Sequence, residues 1–167
     1  MSNSNVRIGV IADTHGKLDR AVLDHFAGVD RIIHGGDIGN EQVLWELEKI
    51  APVIAVKGNN DSDSICVPNE RLAQFGEVSI FVTHIFSTAE KLTQAQKNLI
   101  EKRLLNAVVF GHSHKAYSGQ WRGTLLFNPG AAGPKRFSLP RSIGFLTISD
   151  SDVQSEVVEL VGDPQWV

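Results

Sequence analysis

The sequence predicts an α/β domain built on two packed β-sheets, and three observations carry that expectation. Apolar, β-branched runs recur along the whole chain, helical patterns separate the early ones, and after Ala107 short loops take the place of helices. The runs are Val6 to Ala12, Arg31 to His34, Val53 to Val56, Val78 to Thr83, Ala107 to Phe110, Thr124 to Phe127, Ile143 to Ile148 and Val153 to Leu160, which read as eight strands. Strand and helix alternate over the first two thirds, the pattern of parallel pairing. The tail, which includes the Gly/Pro-rich stretch NPGAAGPKRFSLPRS, points to a second, largely antiparallel sheet packed on the first.

Three helices are expected, over Leu18 to Ala27, Glu41 to Ile50 and Thr88 to Leu104. The second places Val43, Leu44, Leu47 and Ile50 on one face, as a helix lying on a sheet does. The third has a capping-box pattern in Ser87 and Glu90 and an apolar stripe of Leu92, Ala95, Leu99 and Ile100.

The 167 residues contain no linker-like stretch, so one domain over residues 1–167 is expected. With 42% hydrophobic and 21% charged residues the chain has enough apolar surface to fold. A net charge of -3 gives no general attraction for nucleic-acid phosphates, which disfavours nucleic acid as a partner. No apolar run approaches the roughly 20 residues of a membrane span. The start, MSNSNVRIGVIAD, lacks a charged segment followed by an apolar one, so residence in the cytoplasm is the expectation. The single Cys66 cannot close an intramolecular disulfide, which agrees with a reducing compartment. The association state is left open, a homo-oligomer included.

The informative pattern is where Asp, His and Asn fall. Asp13 and His15 follow the first strand, Asp37 the second, Asn59, Asn60 and Asp61 the third, His84 the fourth, and His112 and His114 the fifth. In a mostly parallel sheet all these loops leave the carboxyl ends of strands, where α/β sheets place ligands. Carboxylate, imidazole and amide donors without thiolate suit a catalytic divalent ion rather than a Cys-based structural zinc. Glycines precede several of these residues, in Gly35-Gly36-Asp37, Gly58-Asn59 and Gly111-His112, where a tight turn exposes the next side chain.

Asp13-Thr14-His15, Gly35-Gly36-Asp37, Gly58-Asn59-Asn60-Asp61, Thr83-His84 and Gly111-His112-Ser113-His114, in that order, resemble the calcineurin-like metallophosphoesterases. The short length and Asn128-Pro129-Gly130 are similar to the small bacterial and archaeal phosphodiesterase branch. The resemblance implies a four-layer α/β/β/α sandwich of two mixed β-sheets. It also implies two divalent ions, manganese first, with nickel, iron, zinc or magnesium as alternatives. Asp13, His15 and His114 would hold one ion, Asn59, His84 and His112 the other, and Asp37 would bridge them. A metal-bridging water or hydroxide would then attack a small phosphate ester in line with its leaving group. Asp61 is expected to orient a ligand's ring N–H.

Two departures from the family pattern stand out. Many relatives have His where this chain has Asn60, and an amide cannot act as a general acid near neutral pH, so activated or diester substrates are expected over alkyl monoesters. Ile85 follows His84 where many relatives have Gly.

Singly, each residue has an ordinary reading. Asp13 or Asp37 could cap a helix, and His84 could be a satisfied buried histidine. His34 reads as core or second-sheet, His25 as surface, Cys66 as a small packed side chain, and Trp45, Trp121 and Trp166 as packing residues. Lys135, Arg136 and Arg141 are either a solvated face or a collector of anionic substrate. Two other functions compete: a non-catalytic scaffold of the retromer-subunit type, and a nuclease, against which the missing duplex-gripping domain and the acidic balance both count.

Overall fold

A computed structural model of the chain describes residues 5–167. Met1 to Ser4, part of the segment read as lacking a leader, lie outside the described residues. Among the described residues ten strands form where eight are expected. In the first sheet β1 (Val6–Ile11), β2 (Arg31–His34) and β3 (Val53–Ala55) pair in parallel. The last two strands, β9 (Ser142–Ser149) and β10 (Asp152–Glu159), return to the same sheet antiparallel, giving the order β10-β9-β1-β2-β3.

The second sheet contains β4 (Glu70–Phe75), β5 (Val78–Thr83), β6 (Ala107–Val109), β7 (Tyr117–Trp121) and β8 (Thr124–Asn128) in the order β4-β5-β6-β8-β7. Pairing of β5, β6 and β8 is parallel and the two edge strands run antiparallel, so both sheets are mixed. The tail therefore does not build a second sheet of its own, as expected from sequence; it is divided between the two.

Three apolar clusters define four layers. Ile8, Val10, Ile33 and Leu146 of one sheet meet Ile80, Val82, Val109 and Phe127 of the other, and all eight are buried. Helices α1 (Arg20–His25) and α2 (Glu41–Glu48) cover the outer face of the first sheet through Val22, Leu47 and the neighbouring Phe26. Helix α3 (Gln94–Arg103) covers the second through Ile100, against Phe81, Val108 and Leu126. Each large side chain so buried contributes about 1.5–3 kcal/mol of transfer free energy. The expected α/β/β/α sandwich is what forms.

Local differences have simple causes. The third helix begins at Gln94 with Thr93 and Gln96 as its capping box; Ser87 precedes, and Glu90 lies within, a short 3-10 turn at Ala89–Lys91 instead. Trp45 is 58% exposed on α2 and does not pack, and Cys66 is exposed rather than buried. Among the described residues no helix is long and apolar enough to cross a membrane.

Candidate metal centre

The five loops expected to converge do so, but from two sheets. Those after β1, β2 and β3 leave the first sheet, those after β5 and β6 leave the second, and the parallel strands of both end at one rim. Asp13, Asp37, His84 and His114 are buried there. Asp13 and Asp37 are not helix caps, because Asp19 caps α1 and Asn40 caps α2.

Donor atoms gather in two overlapping groups, Asp13 with His15 and His114, and Asp13 with Asp37 and His84. The Nε2 atoms of His15 and His114 lie 3.1 Å apart, and His114 Nε2 is 3.3 Å from Asp13 Oδ1. His84 Nε2 sits 3.4 Å from Asp37 Oδ2. Beside this group, His112 Nδ1 is 2.9 Å from Asn59 Oδ1, with its ring edge-on to His84 at 5.3 Å between centroids.

Two atoms in this cluster, Asp13 Oδ1 and His84 Nε2, are buried and make no hydrogen bond. Leaving such groups unpaired costs about 1–3 kcal/mol each, more when charged. His84 donates its Nδ1–H to the carbonyl of Gly35 at 2.8 Å, which fixes the tautomer and points the Nε2 lone pair at the carboxylates. A buried, satisfied histidine would have both ring nitrogens engaged; this one has a single nitrogen held in readiness for a cation. The residues thus fit a metal both by donor chemistry and by these two orphaned atoms.

Asp13, His15, Asp37, His112 and His114 all have left-handed backbone, with φ between 49° and 71°. Such a conformation costs an ordinary L-residue roughly 1–2 kcal/mol, and clusters of it are found where geometry is imposed by surroundings. The surroundings here are backbone hydrogen bonds between loops: Asp13 N–H donates to Gly36 O, His15 N–H to Asp37 O, and Gly16 N–H to Ile38 O. Gly58 is obligatory beside them, since a Cβ there would overlap the Asp37 carboxylate and backbone.

Asn60 and Asp61 do related work. Asn60 donates to Asp37 twice, from its backbone N–H to Oδ1 at 2.9 Å and from Nδ2 to Oδ2 at 2.7 Å. Asp61 accepts the backbone N–H groups of Ile38, Gly39 and Gly58, so its carboxylate ties the loop after β2 to the loop after β3 and does not reach a histidine ring.

Electrostatics follow the geometry. Burial pushes the Asp13 carboxyl up to about 7. Burial also opposes ionisation of Asp37, but contacts from His84 and Asn60 outweigh it and hold the carboxyl below the usual range. His15 and His114 are depressed by burial first; the guanidinium of Arg136 adds for His15, and the neighbouring His15 for His114. His84 is raised, because Asp37 and the Gly35 carbonyl outweigh burial.

Sequence reasoning missed four supporting residues. His34 Nδ1 accepts Gly36 N–H, so Nε2 carries the proton and lies 2.9 Å from Thr14 Oγ1, which in turn donates to Ile38 O. Asn128 donates to Gly111 O at 2.8 Å and steadies the turn that carries His112. Its only sequence signal is its place in the Asn128-Pro129-Gly130 segment. Arg141 is buried, pairs with Asp19 at 2.6 Å, lies against the Trp166 ring and donates to the Gly133 carbonyl, so it belongs neither to a solvated face nor to a substrate collector.

The calcineurin-like phosphoesterase superfamily domain model matches residues 6–151. A Methanocaldococcus jannaschii protein named as a probable metallophosphoesterase is 34% identical over 149 residues, covering 86% of this chain and 76% of its own. A phosphodiesterase of the same organism is 28% identical over 168 residues, covering 92% and 100%. Among solved structures, one described as a novel archaeal phosphodiesterase has a TM-score of 0.73 at 23% identity over 92% of this chain and 100% of its own. Vacuolar protein sorting 29 of Cryptosporidium parvum gives 0.72 at 18% identity over 95% and 99%.

Proposed function

Because the chain belongs to the calcineurin-like phosphoesterase superfamily, we propose that it is a dinuclear metal-dependent phosphoesterase acting as a phosphodiesterase on small esters. The observation that carries this is the pair of orphaned buried atoms, Asp13 Oδ1 and His84 Nε2, where the Asp13 and Asp37 carboxylates meet the imidazoles of His15, His84 and His114.

Asp13, His15 and His114 would hold one ion and Asn59, His84 and His112 the other, with Asp37 shared and manganese the first choice of metal. Two divalent ions would supply an acidified water and a positive field for the phosphoryl oxygens. The chain's own residues set the rest. Burial keeps Asp13 free of competing water, the Gly35 carbonyl fixes the His84 lone pair, and Asn60 holds both oxygens of Asp37 in place. Because the Asn60 amide is spent on Asp37 and has no proton to give a departing oxygen, good leaving groups and diesters are favoured over alkyl monoesters. One domain over residues 1–167, working in the cytoplasm on a soluble substrate, completes the picture.

The test is a screen of aryl and cyclic diesters, monoesters and nucleotides with manganese, nickel, magnesium and zinc, alongside metal analysis. Diester turnover with about two ions per chain is expected. Fewer than one ion per chain under metal-replete conditions, with no turnover, would sink the assignment and favour a scaffold.

A further inference from the structure

A loop that no part of the metal centre uses lies against one of its ligand loops. Its start is hydrogen-bonded to the backbone of the first metal-ligand loop: Ala132 N–H donates to Ala12 O and Gly133 N–H to Asp13 O, both at 3.1 Å. A Cβ on Gly133 would overlap the carbonyls of Asp13 and Thr14, so the two loops are in backbone contact. Its end is fixed by Arg141, which bridges to Ala131 and donates to the carbonyls of Ala132 and Gly133. The tip, from Pro134 to Ser138, is exposed between these two fixed ends.

Resting on the phosphoesterase assignment above, we propose that Arg136, at the tip of this pinned loop, is the phosphate-recognition residue of the site, its guanidinium binding a non-bridging oxygen of the ester. Arg136 and His114 line one small depression together with Pro134, Lys135 and Leu139. The main-chain bonds of Ala132 and Gly133 to Ala12 and Asp13 hold this exposed tip beside the loop that carries Asp13 and His15. Among the described residues its guanidinium makes no hydrogen bond or ion pair, so its donors are free for an incoming anion. A guanidinium offers two parallel N–H groups that match two phosphoryl oxygens, which an ammonium does not. Because the loop ends are tied down and the tip is short, less ordering is needed on binding than a free surface arginine would require.

The experiment compares wild type with Arg136→Ala, Arg136→Lys and Lys135→Ala. KM for an aryl diester and the inhibition constant of inorganic phosphate are measured, together with calorimetric phosphate binding to the metal-loaded protein and metal content. Expected is a rise of about tenfold or more in KM and in the phosphate constant for Arg136→Ala, an intermediate rise for Arg136→Lys, and less than twofold for Lys135→Ala, at unchanged metal content. Two results overturn the proposal: phosphate constants within twofold of wild type in Arg136→Ala, or an equal loss in Lys135→Ala, which would mark a diffuse field. If wild type turns over no ester, the phosphoesterase assignment fails, whereas calorimetry still decides whether Arg136 holds phosphate; wild type binding no phosphate also overturns the proposal.

Discussion

His15 and His114, 99 positions apart in the chain, bring their Nε2 atoms to 3.1 Å. Without a cation one of the two must donate to the other; with one, neither keeps a proton on that nitrogen. Asp13 completes the group, and burial holds its carboxyl at about 7, so it is mostly protonated below that pH in the metal-free protein. An ion must displace this proton. Apparent manganese affinity should therefore rise by about tenfold per pH unit up to neutrality and level off above it. The raised affinity of His84 for a proton acts in the same direction. Calorimetric titration at pH 6 and pH 8 reads the effect, and equal affinities at the two would refute it.

Asp37→Ala removes the carboxylate proposed to be shared. Removing an outer partner of a metal ligand costs about 10–100-fold, so loss of a ligand itself should cost at least about 100-fold in turnover, with metal content reduced. Turnover within tenfold of wild type would contradict the role.

Asn60→His restores a side chain able to give up a proton while taking two hydrogen bonds' worth of restraint from Asp37 down to the backbone one. Turnover of an ester with a poor leaving group should rise, by at most about 10²–10⁴-fold, while a nitrophenyl ester changes little. The ratio of the two rates is the measurement, and an unchanged ratio counts against proton donation at this position.

Arg141→Ala leaves the buried Asp19 carboxylate without its cation. A cost of about 3–5 kcal/mol is expected from breaking a buried pair on one side. Urea unfolding measures it. A loss below 1 kcal/mol would show that water relieves Asp19 and that the pair carries little.

His34 is fully buried and neutral, its proton affinity lowered by burial to about 4. Above pH 6.5 the ring is uncharged both folded and unfolded and contributes no pH dependence. As pH falls from there toward 4 only the unfolded chain gains the proton, so the folded state loses stability, by about 3 kcal/mol at the low end. His34→Gln keeps a donor for Thr14 and an acceptor for Gly36 without that titration. Unfolding free energies of the two proteins at pH 7 and pH 4 should diverge accordingly, and parallel pH profiles would refute it.

The apolar runs showed eight of the strands, β10 among them although its residues are at most half-buried, and the turn residues after five of them showed the rim. What escaped was polar or strained. Strand β4 reads ERLAQF with one buried residue, and β7 reads YSGQW with none. Both are edge strands, half solvated, and lack the period-2 apolar signal. The third helix start was misplaced because Ser87 with Glu90 and Thr93 with Gln96 are chemically equivalent capping patterns, and only packing of Leu92 against the core chooses between them. The left-handed backbone at Asp13, His15, Asp37, His112 and His114 was not legible, since Asp and His are enriched in that region yet occupy it only in a minority of their positions. Arg141 looked like a surface charge because its partner, Asp19, lies 122 residues away.

Those five left-handed residues bear on how the protein meets its ions. Three of them, Asp13, His15 and Asp37, are held by main-chain bonds such as His15 to Asp37 and by the tight fit of Gly58, none of which involves a cation. Loading and stripping should thus leave the socket's outline unaltered, so different ions could exchange through it without refolding, and availability in the surrounding medium, rather than the fold, would decide which one it carries.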